Sequence, residues 1–260
     1  MISIVNISVT YPLNKVIIRQ MIHGVRVHKA ILQLHNEGLY YLYRGILPPL
    51  CQKTLSMSIM FGMYGECHKT LSTYAINPYI VKAMSGMIAG TMEAILMPFE
   101  RIQTLLSVTQ YHGELRNMSH AFKELRHYGL GEYYRGLLPI LLRNGPSNAC
   151  FFIIRDEVQN YLPKQRNSAI ERTLTQFATG AFIGVTLSTV FYPLNVVKFR
   201  MQQQLGGQYQ SILSVFMLIY RERGSKLRNI YKGVSTNSTR AFFSWGVINA
   251  AYENLKKLLC

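Results

Sequence analysis

Long apolar stretches alternate with short amphipathic ones along this chain, and the alternation repeats. Residues 174–192 run for 19 positions without a charge, and residues 79–97 for 19 positions interrupted only by Lys82 and Glu93. A helix of about 20 residues rising ~1.5 Å each matches a hydrocarbon core ~30 Å thick, so both stretches predict membrane-crossing helices. Three shorter runs read VHKAILQLHNEG, MSHAFKELRHYG and SILSVFMLIYRERG and end on Gly38, Gly129 and Gly224. Their apolar residues recur at helical spacing, which predicts amphipathic surface helices stopped by glycine.

The alternation is a threefold internal repeat. PLNKVIIRQ starts at Pro12, PFERIQTLL at Pro98 and PLNVVKFRMQ at Pro193, and each is followed downstream by an aromatic, a base and a glycine, at Gly45, Gly136 and Gly233. The amphipathic run lies between the two landmarks every time. Each unit therefore predicts a long helix carrying the proline, a surface helix, and a second long helix after the glycine. The expected architecture is all-α: a membrane-embedded six-helix bundle of three pseudo-symmetric two-helix units, bounded at 1–76, 77–170 and 171–260. Gly86 with Gly90 and Gly180 with Gly184 stand four apart, a spacing that suits close helix contact in a bilayer or in a soluble helical core. Only 11 residues precede Pro12, about 16 Å of helix, so the first long helix is expected to fall short of a full crossing.

Composition narrows the partners. Lys and Arg number 28 against 12 Asp and Glu, a formal net charge of +16, so anionic partners are expected. Nucleic acid is excluded by the long uncharged spans, and the basic residues cluster between the long helices of each unit, as in 15–44, which suits a face touching anionic lipid. Cys51, Cys67, Cys150 and Cys260 are irregularly spaced with no CxxC pair, so neither a metal site nor a disulfide framework is expected. Residues 1–11 lack a basic leader and a small-residue cleavage site, so no cleavable signal is expected. No Gly-rich phosphate loop, nucleophile elbow or HExxH is present, which argues against an enzyme and against a resident cofactor.

The proline, polar residue and bases of each unit resemble the signature of the mitochondrial carrier family across essentially the whole chain. The resemblance implies a bundle around a central cavity, alternating access, and residence in the mitochondrial inner membrane. Anionic membrane lipid such as cardiolipin and a monomeric working unit go with it. Members usually close the matrix side with ion pairs between an acid two places after each proline and a base five places after it. Here those places hold Asn14 with Ile17, Glu100 with Gln103, and Asn195 with Lys198, so one ion pair, Glu100 with Lys198, is expected from the set. On the opposite side the matching places hold Gly65, Asp156 and Glu253 with His68, Gln159 and Lys256. Two acids face one certain base there, with Glu66 as a stand-in for Gly65. Both gates are expected to be electrostatically weak.

An asymmetric solute requires a site that breaks the repeat. Seven places after each glycine stand Gln52, Arg143 and Arg240, and one place further Lys53, Asn144 and Ala241. The resemblance places this level of the even-numbered helices on the cavity wall. Cations at bilayer depth are costly unless water or an anion is near, and arginine offers a rigid fork of donors for phosphate oxygens. Arg143, Arg240 and Lys53 are thus expected to clamp a pyrophosphate, with pairing to acids inside the bundle as the alternative. Glu93, five places before Pro98, also breaks the repeat and reduces three positive charges to a net of +2. The stretches LYRGILPPLCQKT, GEYYRGLLPILLRNGPSN and PFERIQTLL are most similar to carriers of NAD within the family. The resemblance therefore implies a nucleotide-like solute with NAD first, and coenzyme A, FAD or an adenine nucleotide as alternatives. Ser56, Ser147 and Ser244 share one repeated place and are expected to serve helix packing. Trp245 is expected to pack at an interface, with solute stacking as the alternative.

Overall fold

The computed structural model describes residues 2–74, 77–111, 113–161 and 169–259, without the side chains of 2–6, 8, 9, 39, 40, 169, 172 and 250–259. Every regular element among them is helical. The first unit comprises α1 (Ile2–His23), α2 (Val27–Glu37), α3 (Leu39–Tyr43) and α4 (Leu47–Leu71). The second comprises α5 (Pro78–Glu93), α6 (Met97–Ser107), α7 (Met118–His127) and α8 (Leu137–Tyr161), and the third α9 (Ala169–Val190), α10 (Tyr192–Gln202), α11 (Ile212–Glu222), α12 (Leu227–Ile230) and α13 (Val234–Leu259). Side-chain acceptors start several of them: Asn77 caps α5 at the amide of Tyr79 (2.9 Å), and Asn117 caps α7 at the amide of His120 (2.9 Å). Such caps satisfy donors that no turn of the helix can reach.

In the second and third units proline explains why the first long helix is broken. Its ring clashes with the carbonyl four residues back and it brings no N–H. In the second unit a 3₁₀ turn over 94–96 separates α5 from α6, and in the third α9 and α10 meet at 62° around Phe191. Pro12 sits within a continuous α1.

The long helices close a ring in chain order, with α1 against α4, α4 against α5, α5 against α8, α8 against α9, α9 against α13 and α13 back on α1. The segments after the prolines, in α1, α6 and α10, also contact one another and seal one end. Apolar side chains face outward: Ile80, Met84, Met87 and Ile88 on α5 and Leu174, Phe182 and Val190 on α9 are exposed, while Asn144, Asn195, Lys198 and Asn249 are buried. That inversion fits a bundle bathed in lipid around a polar interior. Pro78–Ser107 and Leu130–Tyr161 are long and apolar enough to cross a membrane on their own, and Thr173–Val190 with Tyr192–Gln202 qualifies as a bent pair. Helices α4 and α13 have the length, at 25 and 26 residues. They are more polar because they carry Lys53 and Arg240 toward the interior.

The glycine pairs decide the spacing between helices. A Cβ on Gly86 would stand 2.6 Å from the Ala149 backbone and one on Gly90 2.5 Å from the Asn144 carbonyl, so α5 and α8 touch backbone to backbone. On Gly184 it would lie 2.3 Å from the Trp245 ring. Gly184→Leu is therefore expected to cost about 3 kcal/mol by overpacking. Gly62→Ala, where no atom lies within 4 Å, is expected to be neutral or to stabilise α4 by up to ~1 kcal/mol. Thermal melts of the two variants in lipid check the contrast.

Candidate functional site

Each even-numbered crossing helix starts just past a glycine whose backbone is left-handed: φ is +79° at Gly45, +86° at Gly136 and +96° at Gly233. A side chain is unwelcome there on two counts, since a Cβ on Gly233 would also lie 2.7 Å from the Tyr192 hydroxyl. That hydroxyl donates to the carbonyl of Lys232 (2.7 Å), and Tyr11 does the same to Arg44 (2.8 Å). In the first and third units the residue before the proline thus ties down the residue before the glycine, a bond that Met97 of the second cannot make. This junction registers the two long helices of a unit and fixes what stands two turns further on.

What stands there faces a single central cavity of about 530 Å³, within the roughly 300–1,000 Å³ of small-molecule sites. Gln52, Lys53, Glu93, Arg143, Asn144 and Arg240 all line it. So do both post-proline levels, Asn14, Glu100 and Asn195 with Ile17, Gln103 and Lys198. The last two sets form the floor, at the sealed end. Four cations and two carboxylates line the cavity, Lys198 and Glu100 cancelling each other. The net of +2 expected from the sequence is unchanged.

Among the described residues, none of Lys53, Arg143 and Arg240 forms an ion pair. Arg143 donates through Nε to Asn144 Oδ1 (2.8 Å) and through Nη1 to Asn195 Oδ1 (2.7 Å). Arg240 donates to Asn237 Oδ1 (3.3 Å), and its buried Nε has no partner. The Lys53 ammonium lies 5.8 Å from the centre of the Trp245 ring, a cation–π distance. Glu93 accepts a hydrogen bond from Ser56 Oγ and a long one from Asn144 Nδ2 (3.5 Å). These cations are desolvated and, among the described residues, form no contact ion pair, which suits a site that takes an anion.

The floor carries one ion pair, Lys198 with Glu100, both mostly buried. Asn195 supplies the other link, through Arg143. Toward the far end, Asp156 meets Lys82 of α5 (3.4 Å) and its own neighbour Arg155 (3.4 Å), and Gln159 reaches Gln176 of α9 (3.3 Å). Glu253 and Lys256 lie on α13, but their side chains fall outside the described residues. Above the cavity Tyr64 of α4 stacks on Phe152 of α8 at 3.5 Å, and Phe151 meets Trp245 at 4.7 Å.

The family model described as mitochondrial carrier protein matches residues 1–75, 77–166 and 171–260. The chain belongs to the mitochondrial carrier family. It is thus a multi-pass solute carrier of the mitochondrial inner membrane and not an enzyme. Relatives include a human protein named mitochondrial nicotinamide adenine dinucleotide transporter, 43% identical over 98% of this chain and 86% of its own length. A mouse protein of the same name is 41% identical over 98% and 86%. A more distant carrier, the mitochondrial arginine transporter of Arabidopsis thaliana, is 30% identical over 94% and 83%.

One expectation for this carrier needs correction. Ser56, Ser147 and Ser244 do not simply pack helices: all three line the cavity, and Ser56 holds Glu93. Trp245 packs at an interface as expected, its ring filling the space over Gly184, and it also borders the cavity beside Lys53. Asn148, Ser188 and Asn237 line the cavity as well and escaped the reading by repeat asymmetry. Helical spacing would have found two of them. Starting from Arg240, one turn back on α13 is Asn237, and from Asn144 one turn forward on α8 is Asn148, so the face extends at i±3 and i±4.

Proposed function

We propose that this carrier moves NAD into the matrix by alternating access, gripping the pyrophosphate with Arg143, Arg240 and Lys53. The observation that carries the reading is the convergence of these three cations, none ion-paired among the described residues, on one cavity of about 530 Å³. The relatives named for nicotinamide adenine dinucleotide support the choice of solute. Glu93 is the acid left to face the cationic nicotinamide ring, and Gln52 and Asn144 offer amides to ribose or base. A solute of opposite charge at the cations and like charge at none leaves no buried charge unmet.

The floor residues Asn14, Glu100, Asn195 and Lys198 act as the matrix gate, and Asp156, Glu253 and Lys256 belong to the opposite one. The three units work as 1–76, 77–170 and 171–260. Cardiolipin at the basic matrix face and a monomeric unit complete the reading. Uptake of labelled NAD into proteoliposomes, competed by coenzyme A, FAD and ADP, tests the solute. Saturable NAD uptake that the competitors do not displace is the expected result, and uptake of one of the competitors in place of NAD refutes it. A thin gate also makes a rate prediction. Installing a second pair between units, as Glu100 meets Lys198, with Asn14→Asp and Gln103→Lys is expected to slow turnover roughly tenfold, as ~1.4 kcal/mol added to the opening barrier would. An unchanged uptake rate contradicts a gate at this level.

A further inference from the structure

Both arginines of the cavity are held by amides, and the two arrangements follow one plan. In the second unit Glu93 on α5 accepts from Asn144 of α8, and the same amide accepts from Arg143. In the third unit Ser188 on α9, at the place equivalent to Glu93, accepts from Asn237 Nδ2 (2.5 Å), and Asn237 Oδ1 accepts from Arg240. Asn195 adds a second amide to Arg143 from below. Asn144, Asn195 and Asn237 are 6%, 9% and 2% exposed, so their orientations are set by packing and not by solvent. An amide oxygen accepts from a guanidinium much as a carboxylate does, but it carries no charge.

The chain contains its own comparison. Glu100 occupies in the second unit the place that Asn195 occupies in the third, and there the carboxylate does pair with a base, Lys198. Lys198 lines the same cavity with its charge already answered. Arg143 has an amide at the corresponding place and, among the described residues, no carboxylate at ion-pair distance.

We propose that Asn144, Asn195 and Asn237 are positioning residues for anion specificity: they aim Arg143 and Arg240 into the cavity through neutral acceptors and so preserve the full positive charge. This rests on the proposed nucleotide solute and adds to it which residues set the charge preference. An aspartate at any of these places would hold the arginine in the same pose and quench it, because a carboxylate within hydrogen-bond distance in a partly desolvated site interacts strongly with a guanidinium.

Asp and Ser replacements separate the two roles. Asp keeps the size and the acceptor and adds charge, whereas Ser keeps an acceptor, loses size and stays neutral. With the full chain in proteoliposomes, Asn195→Asp and Asn237→Asp are each expected to raise KM for NAD at least tenfold, and Asn195→Ser and Asn237→Ser about threefold. Inhibition of uptake by inorganic pyrophosphate is expected to weaken in the same order, while melting temperatures fall more for Ser than for Asp. A purely structural role gives the reverse order in KM, and that result overturns the proposal. The Ser variants carry the test should an Asp variant fail to assemble: inhibition by pyrophosphate within about threefold of the unmodified chain is expected, and a loss of roughly tenfold or more in both overturns the proposal, because it shows that size and not neutrality matters. Absence of NAD uptake by the unmodified chain refutes the solute assignment alone. The same variants are then compared with whichever phosphate-bearing nucleotide the unmodified chain carries.

Discussion

Arg240→Ala is expected to lower NAD uptake at least about 100-fold while leaving the bundle folded. A hydrogen bond to a charged group contributes about 1.5–3 kcal/mol, and two such bonds to phosphate oxygens amount to two decades or more at ~1.4 kcal/mol per decade. The fold does not depend on this side chain to the same degree. Its contacts among the described residues include one long bond to Asn237, and its Nε has no partner. The melting temperature in lipid should therefore move by little more than about 2 °C. Arg143→Ala is expected to match the loss of uptake and to melt earlier, because Arg143 also bonds Asn144 and Asn195. Arg240→Lys supplies charge without the fork and should recover only part of the loss. Near-normal uptake in both alanine variants would remove the pyrophosphate clamp.

Lys198→Ala is expected to be the most destabilising single change at the floor. Lys198 is 2% exposed and pairs with Glu100, whose side chain is 14% exposed. Removing one partner of a buried pair leaves the other charge stranded, at about 3–5 kcal/mol. For a chain of this size that corresponds to a fall of roughly 10 °C in melting temperature. Adding Glu100→Gln removes the stranded charge and is expected to restore most of the loss. A double variant that melts as low as the single one would show that the pair contributes packing and not electrostatics.

The architecture was legible because its signals are repeated and spaced by backbone geometry. Pro98 and Pro193 mark real breaks in the long helices, at the 3₁₀ turn over 94–96 and at Phe191, and Gly45, Gly136 and Gly233 need left-handed backbone that other residues resist. The single floor pair was legible too, since only Glu100 and Lys198 offer opposite charges at those places. Serines were misread because repetition suggested scaffold: Ser56, Ser147 and Ser244 recur at one place, yet the cavity is threefold as well and its wall repeats with the frame. The amide partners were not legible at all. Nothing in the spacing of Asn237 says that it turns one face to Ser188 and the other to Arg240, because that link crosses between helices 49 residues apart in the chain.

Trp245 joins two environments. One side of the indole rests where Gly184 has no side chain, on a helix whose outer face carries Phe182 and Val190 into the hydrocarbon. The other side underlies the Lys53 ammonium. The missing methyl on α9 acts as a ruler for the pocket, since widening that seam by one carbon would tilt the ring and swing the ammonium above it. Changes at the Gly184 seam should then surface as altered solute preference, passed on through the ring and the ammonium it underlies.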